Sequence, residues 1–200
     1  MKWLARFGVL AVIVGVAVAL ASCGPKSAAA QLDPRQRLTA REAWEIIEPD
    51  AERWKSGSLI ILGRPPSRPG REDLALDGRS SAWRFIAAPE GDTFPGIYTL
   101  DTTISPIQVN RTEQRRPVAQ AYVDPAEWQV DSDEALAIAE ASGLEAWLAD
   151  NPDFQVRVLT LELNATVAEG AFWRIAAQQG ASSIELHISA IDGAVLSVTP

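Results

Sequence analysis

Catalysis in this chain would have to run through very few residues. It holds one histidine, His187, and one cysteine, Cys23. A Ser–His–Asp hydrolase would depend on His187, and the serines at 80–81 and 182–183 lack the Gly-x-Ser-x-Gly turn that presents a nucleophile. Ile184, Leu186, Ile188 and Ala190 alternate, which places His187 on the opposite, polar face with Glu185 and Ser189. It is expected there as a solvated sheet-face histidine. One Cys leaves no internal disulfide, and one His with one Cys leaves none of the usual zinc cages. Asp131, Asp133 and Glu134 are dense enough for Ca²⁺ but lack the glycine-turned spacing of an EF-hand. Carboxylates at a helix start are favoured by its dipole, so they are expected as a cap. The stretch Gly63 to Gly78 carries arginines but no phosphate-cradling glycine pattern. It reads as a surface loop in which Arg64, Arg68 and Arg71 could touch a partner. Trp44, Trp83 and Trp173 fall on apolar faces and are expected in the core. Trp54 and Trp128, near element ends, are the better contact residues. No catalytic group, metal ligand or cofactor site is expected, and the chain is expected not to be an enzyme.

The elements that position these residues come in the same order twice. Thr39-Ala-Arg-Glu42 is a capping box, followed by Trp44, Ile47, Ala51 and Trp54 on one helical face. Pro49 predicts a stop or kink near Glu48. Strands are predicted at 58–63, 81–88, 96–100 and 104–109, the last weakened by Pro106. Asp131-Ser-Asp-Glu134 is a second capping box ahead of a helix ending near Gly143, with a further helical turn over 144–149. Strands follow at 154–163, 172–177, 184–190 and 194–198, with Asp192-Gly193 as a tight turn. The apolar phase switches after Val158, which predicts either a bulge or burial on both faces. Thr39 and Asp131 lie 92 apart, and Trp83 and Trp173 lie 90 apart, so the spacing favours a duplication. The expected fold is α+β: two tandem units, each one helix on a small antiparallel sheet of about four strands.

At the N-terminus, Lys2 and Arg6 precede an apolar run from Phe7 to Leu20, too short to span a bilayer and followed by small residues. That is the order of a secretory signal peptide. Leu20-Ala21-Ser22-Cys23 then resembles the bacterial lipobox at all four positions. The resemblance implies a diacylglyceryl group on the Cys23 sulfur, cleavage before it and further acylation of the new amino terminus, with palmitate-like chains as the anchor. Two or three such chains hold a protein to a membrane where one does not. Residues 1–22 are thus expected as signal peptide and 23–37 as a flexible tether.

The chain has 200 residues, 47% of them hydrophobic, a mean hydropathy of −0.01 and a net charge of −8. This is globular composition with no leaning toward nucleic acid. The charge is unevenly placed. Residues 23–116 hold 14 basic and 13 acidic groups, whereas 117–200 hold 2 and 13, a net of −11. Such asymmetry points to surfaces with different neighbours.

The second unit resembles a PepSY domain, on Asp133 to Ala139, Phe172-Trp173-Arg174-Ile175, Ile184 to Ile188 and Ile191 to Val198, with a shorter Asp192-Gly193 turn than the family's. The resemblance implies a PepSY-like domain over 130–200, a degenerate copy over 38–109 and a linker over 110–129. It also implies an extracytoplasmic, non-catalytic role, as in propeptides that inhibit peptidases. In outline, the tandem arrangement is similar to the β-lactamase inhibitory protein fold, which presents a concave sheet to an enzyme. The expectation is a membrane-anchored lipoprotein of the cell envelope that binds or regulates another extracytoplasmic protein, with a peptidase as the candidate. The alternative is a structural or assembly component of the envelope. No nucleic acid and no small-molecule cofactor are expected.

Overall fold

The computed structural model describes residue 29 and residues 32–66, 77–152 and 157–200. The signal segment 1–22, Cys23, Arg68 and Arg71 lie outside the described residues.

Helix α1 (Ala40–Trp54) starts on the expected capping box: the Glu42 N–H donates to Thr39 Oγ1, and the Thr39 N–H donates to the Glu42 carboxylate. Ala43, Trp44, Ile47 and Ala51 form its buried face. Pro49 does not end it. Pro49 and Glu45, whose carbonyl loses its donor, are both exposed, so the freed carbonyl can turn to water while the buried face stays intact. Strands β1 (Leu59–Arg64), β2 (Ala82–Ala88), β3 (Gly96–Asp101) and β4 (Val109–Glu113) follow.

Helix α2 (Ser132–Ala139) runs through a π turn at Glu140–Leu144 into α3 (Glu145–Asp150). The helix passes Gly143, at φ +123°, instead of ending there. The second capping box does not form. Asp131 accepts instead from the Ser132 N–H and, across the molecule, from the Arg41 N–H at 3.0 Å. Strands β5 (Arg157–Thr166), β6 (Gly170–Gln179), β7 (Ser182–Ser189) and β8 (Val195–Thr199) complete the chain. The β5–β6 register is unbroken from Arg157 to Thr166, so no bulge follows Val158. The phase switch reflects burial on both faces: Leu161, Glu162 and Leu163 are all buried.

The expectation of two units, each with its own sheet, is overturned. All eight strands form one antiparallel sheet in the order β4-β3-β2-β1-β5-β6-β7-β8. β1 pairs with β5 at Gly63↔Leu163. Closer to its start, β1 pairs with the connecting segment, where Ile60 and Val123 exchange backbone hydrogen bonds of 3.0 and 2.8 Å. Spacing along a chain reports the order of elements but carries no information on whether two edge strands meet. Here they do, because Leu161 and Leu163 need the same apolar layer as Phe85 and Trp83. One core cluster holds residues of both halves on the helix-bearing side.

The helix N-termini also interlock. Ala40 N–H donates to Ser132 Oγ at 2.9 Å, so each helix start supplies caps for the other. Gly78, at φ +71°, lies so close to Ser132 and Asp133 that a Cβ there would sit 2.5 Å from backbone atoms. The described end of the segment read as a tether packs on the body. The Arg35 N–H donates to the Thr102 carbonyl at 2.9 Å, the Gln36 carbonyl accepts from Thr102 Oγ1 at 2.7 Å, and Arg37 bonds Asp77 and the Arg79 carbonyl.

Candidate functional site

Helix α1 and the continuous α2–α3 helix lie on one side of the sheet, and among the described residues no helix covers the other face. Strand alternation sends Trp173, Ile175, Leu186 and Ile188 into the core and puts Arg174, Glu185 and His187 on this open face. Register then brings charges into line. Glu162 lies opposite Arg174, and Arg174 lies opposite His187. The resulting ladder crosses four strands and the junction between the halves. Arg64 Nη1 is 2.6 Å from Glu162 Oε1, Glu162 Oε2 is 3.3 Å from Arg174 Nη1, and Arg174 Nη2 is 2.6 Å from Glu185 Oε2. His187 closes the row, with Nε2 3.0 Å from Glu185 Oε1 and Nδ1 2.9 Å from Glu169 Oε1. Its ring also lies 4.6 Å from that of Phe172.

The electrostatics follow from this pairing. The Arg174 hydrogen bond, opposed by partial burial and reinforced by His187, holds the Glu185 carboxyl below the ordinary carboxylate range. The Glu185 hydrogen bond in turn raises Arg174. Two cations face three carboxylates, so the ladder is −1 with neutral His187 and neutral with the imidazolium. Only the imidazolium can donate from both ring nitrogens. As chemistry, this is a fixed mosaic of charge. Both histidine nitrogens face carboxylates, and those carboxylates sit on opposite sides of the ring, so they cannot converge on one ion. Among the described residues no group of three His, Cys, Asp or Glu could hold a metal.

The residues expected to contact a partner are placed very differently from one another. Arg64 is in the ladder, on the open face. Trp54 is half-buried on the helix side: its Nε1 donates to Glu113 Oε1 at 2.8 Å, Lys55 Nζ lies 4.1 Å from the ring centre and Arg111 Cζ 5.0 Å. A shallow cleft of about 460 Å³ beside it is lined by Asp50, Arg53, Trp54, Val109 and Arg111. Trp128 is not a surface residue. It is 1% exposed, packed at 5.9 Å against Trp173 beneath the Arg41 guanidinium, and its Nε1 donates to the Val130 carbonyl. Its place near an element end misleads because the end of the connecting segment turns inward, burying Val123, Trp128 and Val130. Trp44, Trp83 and Trp173 are buried as expected.

Sequence reasoning missed Glu162, Arg174 and Glu169. Single charges inside apolar runs, Leu161-Glu162-Leu163 and Trp173-Arg174-Ile175, are the signal that could have found the first two. Their mutual register could not be read without the pairing.

No family model matches this chain, and no curated protein matches it. Among the described residues no helix is long and apolar enough to cross a membrane. The fold is similar to a crystal structure from Clostridium difficile 630 described as that of a candidate lipoprotein, at TM-score 0.50 and 10% identity, over 84% of this chain and 95% of that one.

Proposed function

We propose that this chain is a lipoprotein of the cell envelope, held outside the cytoplasm by acyl groups on Cys23, whose body is a non-catalytic module for binding another protein. The observation that carries the reading is the order basic residues, short apolar run, Leu20-Ala21-Ser22-Cys23, with that cysteine the only one in the chain. A solved protein of similar fold, described as a candidate lipoprotein, supports it. The binding role rests on the open sheet face. Its charged side chains are already fixed by ion pairs, so a partner would lose little side-chain entropy in meeting them. Regulation of a peptidase is the finer form of this proposal. A role in envelope assembly is the other.

Two measurements test it in cells. Labelling with an alkyne fatty acid should mark the wild-type chain and leave Cys23→Ser unlabelled; equal labelling would remove the anchor. A photo-crosslinking residue at Gln178, exposed on the open face, should trap a defined protein, while one at Glu45, exposed on α1, should not. Identical products from both positions would refute a binding face. A peptidase in the Gln178 product supports regulation, and assembly proteins support the other role.

A further inference from the structure

The two edges of the sheet are built differently. β4 presents Asn110, Arg111, Thr112 and Glu113, and such charges discourage another strand from pairing there. β8 carries no charge at all from Gly193 to Thr199. It pairs with β7 along one side, and among the described residues no strand lies along the other. Its backbone N–H and C=O groups on that side are therefore open to a further strand. Val195, Leu196 and Val198 are 43%, 41% and 48% exposed, and Ile191 beside them is 45%. These are four of the eight large hydrophobic residues exposed among the described residues, gathered within eight positions.

The half of the chain that carries this edge is acidic. The helical stretch 131–150, whose first part packs on β6 and β7, holds six acids and no Lys or Arg; Asp131 is turned to the Arg41 backbone and Asp133 to Arg79, which leaves Glu134, Glu140, Glu145 and Asp150. Of the two bases in 117–200, Arg174 is engaged by Glu162 and Glu185. Pairing of β8 with β8 of a second copy would bring two halves of net charge −11 together, which their repulsion opposes. Charge complementarity selects a cationic occupant instead.

We propose that β8 is a docking edge for an extended, basic segment of a partner protein, which adds a ninth strand to the sheet. Backbone hydrogen bonds supply the pairing, apolar side chains at alternate positions cover Val195 and Val198, and Lys or Arg between them meet the acidic surface. The inference rests on the protein-binding reading and adds to the open face a docking edge and the partner's chemistry.

The test uses the full chain in detergent and three labelled nine-residue peptides. One alternates lysine and valine, one is the same peptide with alternate backbone nitrogens methylated, and one alternates glutamate and valine. The lysine peptide should bind and slow amide exchange within 195–199. Methylation, which removes backbone donors and keeps the charge, should weaken binding at least tenfold, and the glutamate peptide should not bind. Val198→Lys, an exposed substitution, should weaken the lysine peptide by a similar factor. No binding, equal binding of the methylated peptide, or slowed exchange only outside β8 would each overturn the proposal. Slowed exchange in 195–199 that rises with protein concentration in the absence of peptide would assign the edge to a second copy and overturn it too. Any of these failures leaves Cys23 labelling and Gln178 crosslinking standing, so it is distinguishable from failure of the lipoprotein reading.

Discussion

Leu163→Ala tests whether the two halves are one cooperative body. Leu163 is fully buried, lies opposite Gly63 of β1 on one side and Trp173 of β6 on the other, and so sits where the strands of the two halves join. Truncating a buried leucine costs about 2–5 kcal/mol, through lost transfer energy and the cavity left behind. For a body of this size each kcal/mol lowers Tm by about 2–4 °C, so a fall of about 5–15 °C is expected. Calorimetry should show one transition in both proteins. Hydrogen exchange followed by mass spectrometry locates the effect: peptides from β2 and from β6 should lose the same protection, because one sheet and one core cluster link them. Loss confined to β5–β8, with β2 unchanged, would mean that the halves unfold separately, and the argument from a continuous sheet would fail.

Gly63→Ala should destabilise by about 1–3 kcal/mol in urea titration, the usual cost of overpacking. Its Cβ would lie 2.6 Å from Phe85 Cε1, and that ring is fully buried between Trp44 and Trp83; a neutral result would show that the ring can move. Arg174→Met should change the acid response. Because the folded Glu185 carboxyl titrates below its ordinary value of 4.5, its contribution is present above that value and lost as pH falls through the folded one. The wild type should therefore lose stability more steeply than the variant as pH drops below about 4.5, and parallel pH–Tm curves would contradict the pairing.

The elements were legible where local physics decides them. The Thr39–Glu42 box, the alternation of Ile184, Leu186 and Ile188, and the burial of three tryptophans all follow from spacing along the chain. What the sequence could not show is contact between distant segments. Pro49 looks like a breaker until its exposed position in the helix is known. Trp128 looks like a surface residue until the end of the connecting segment is seen to turn inward at Val123, Trp128 and Val130. Asp131 looks like part of a box, yet it serves the backbone of Arg41, ninety positions earlier. The open face was half legible: the phase placed His187 beside Glu185, whereas the link from Arg64 to Glu162 depends on pairing of β1 with β5.

That same link changes the meaning of the charge asymmetry. Read along the chain, a near-neutral half followed by a half of −11 points to different external neighbours. In the folded protein part of the difference is met internally. Arg64 reaches Glu162 on the open face, and on the helix side Arg79 bridges Glu42 and Asp133 at 3.2 and 3.6 Å. Both arginines come from the first half and neutralise carboxylates of the second at the junction. Glu162 is nearly buried, so its two arginines matter more than an exposed pair would: removing them would leave a carboxylate without water or a counter-charge. The junction therefore draws basic groups toward the middle of the sheet and leaves the acidic excess toward its far end. The acids of the second half that no arginine of the first half meets, Glu134, Glu140, Glu145 and Asp150 of the helical stretch among them, are the charge left to attract a cationic partner, whereas β8 itself offers an uncharged backbone edge.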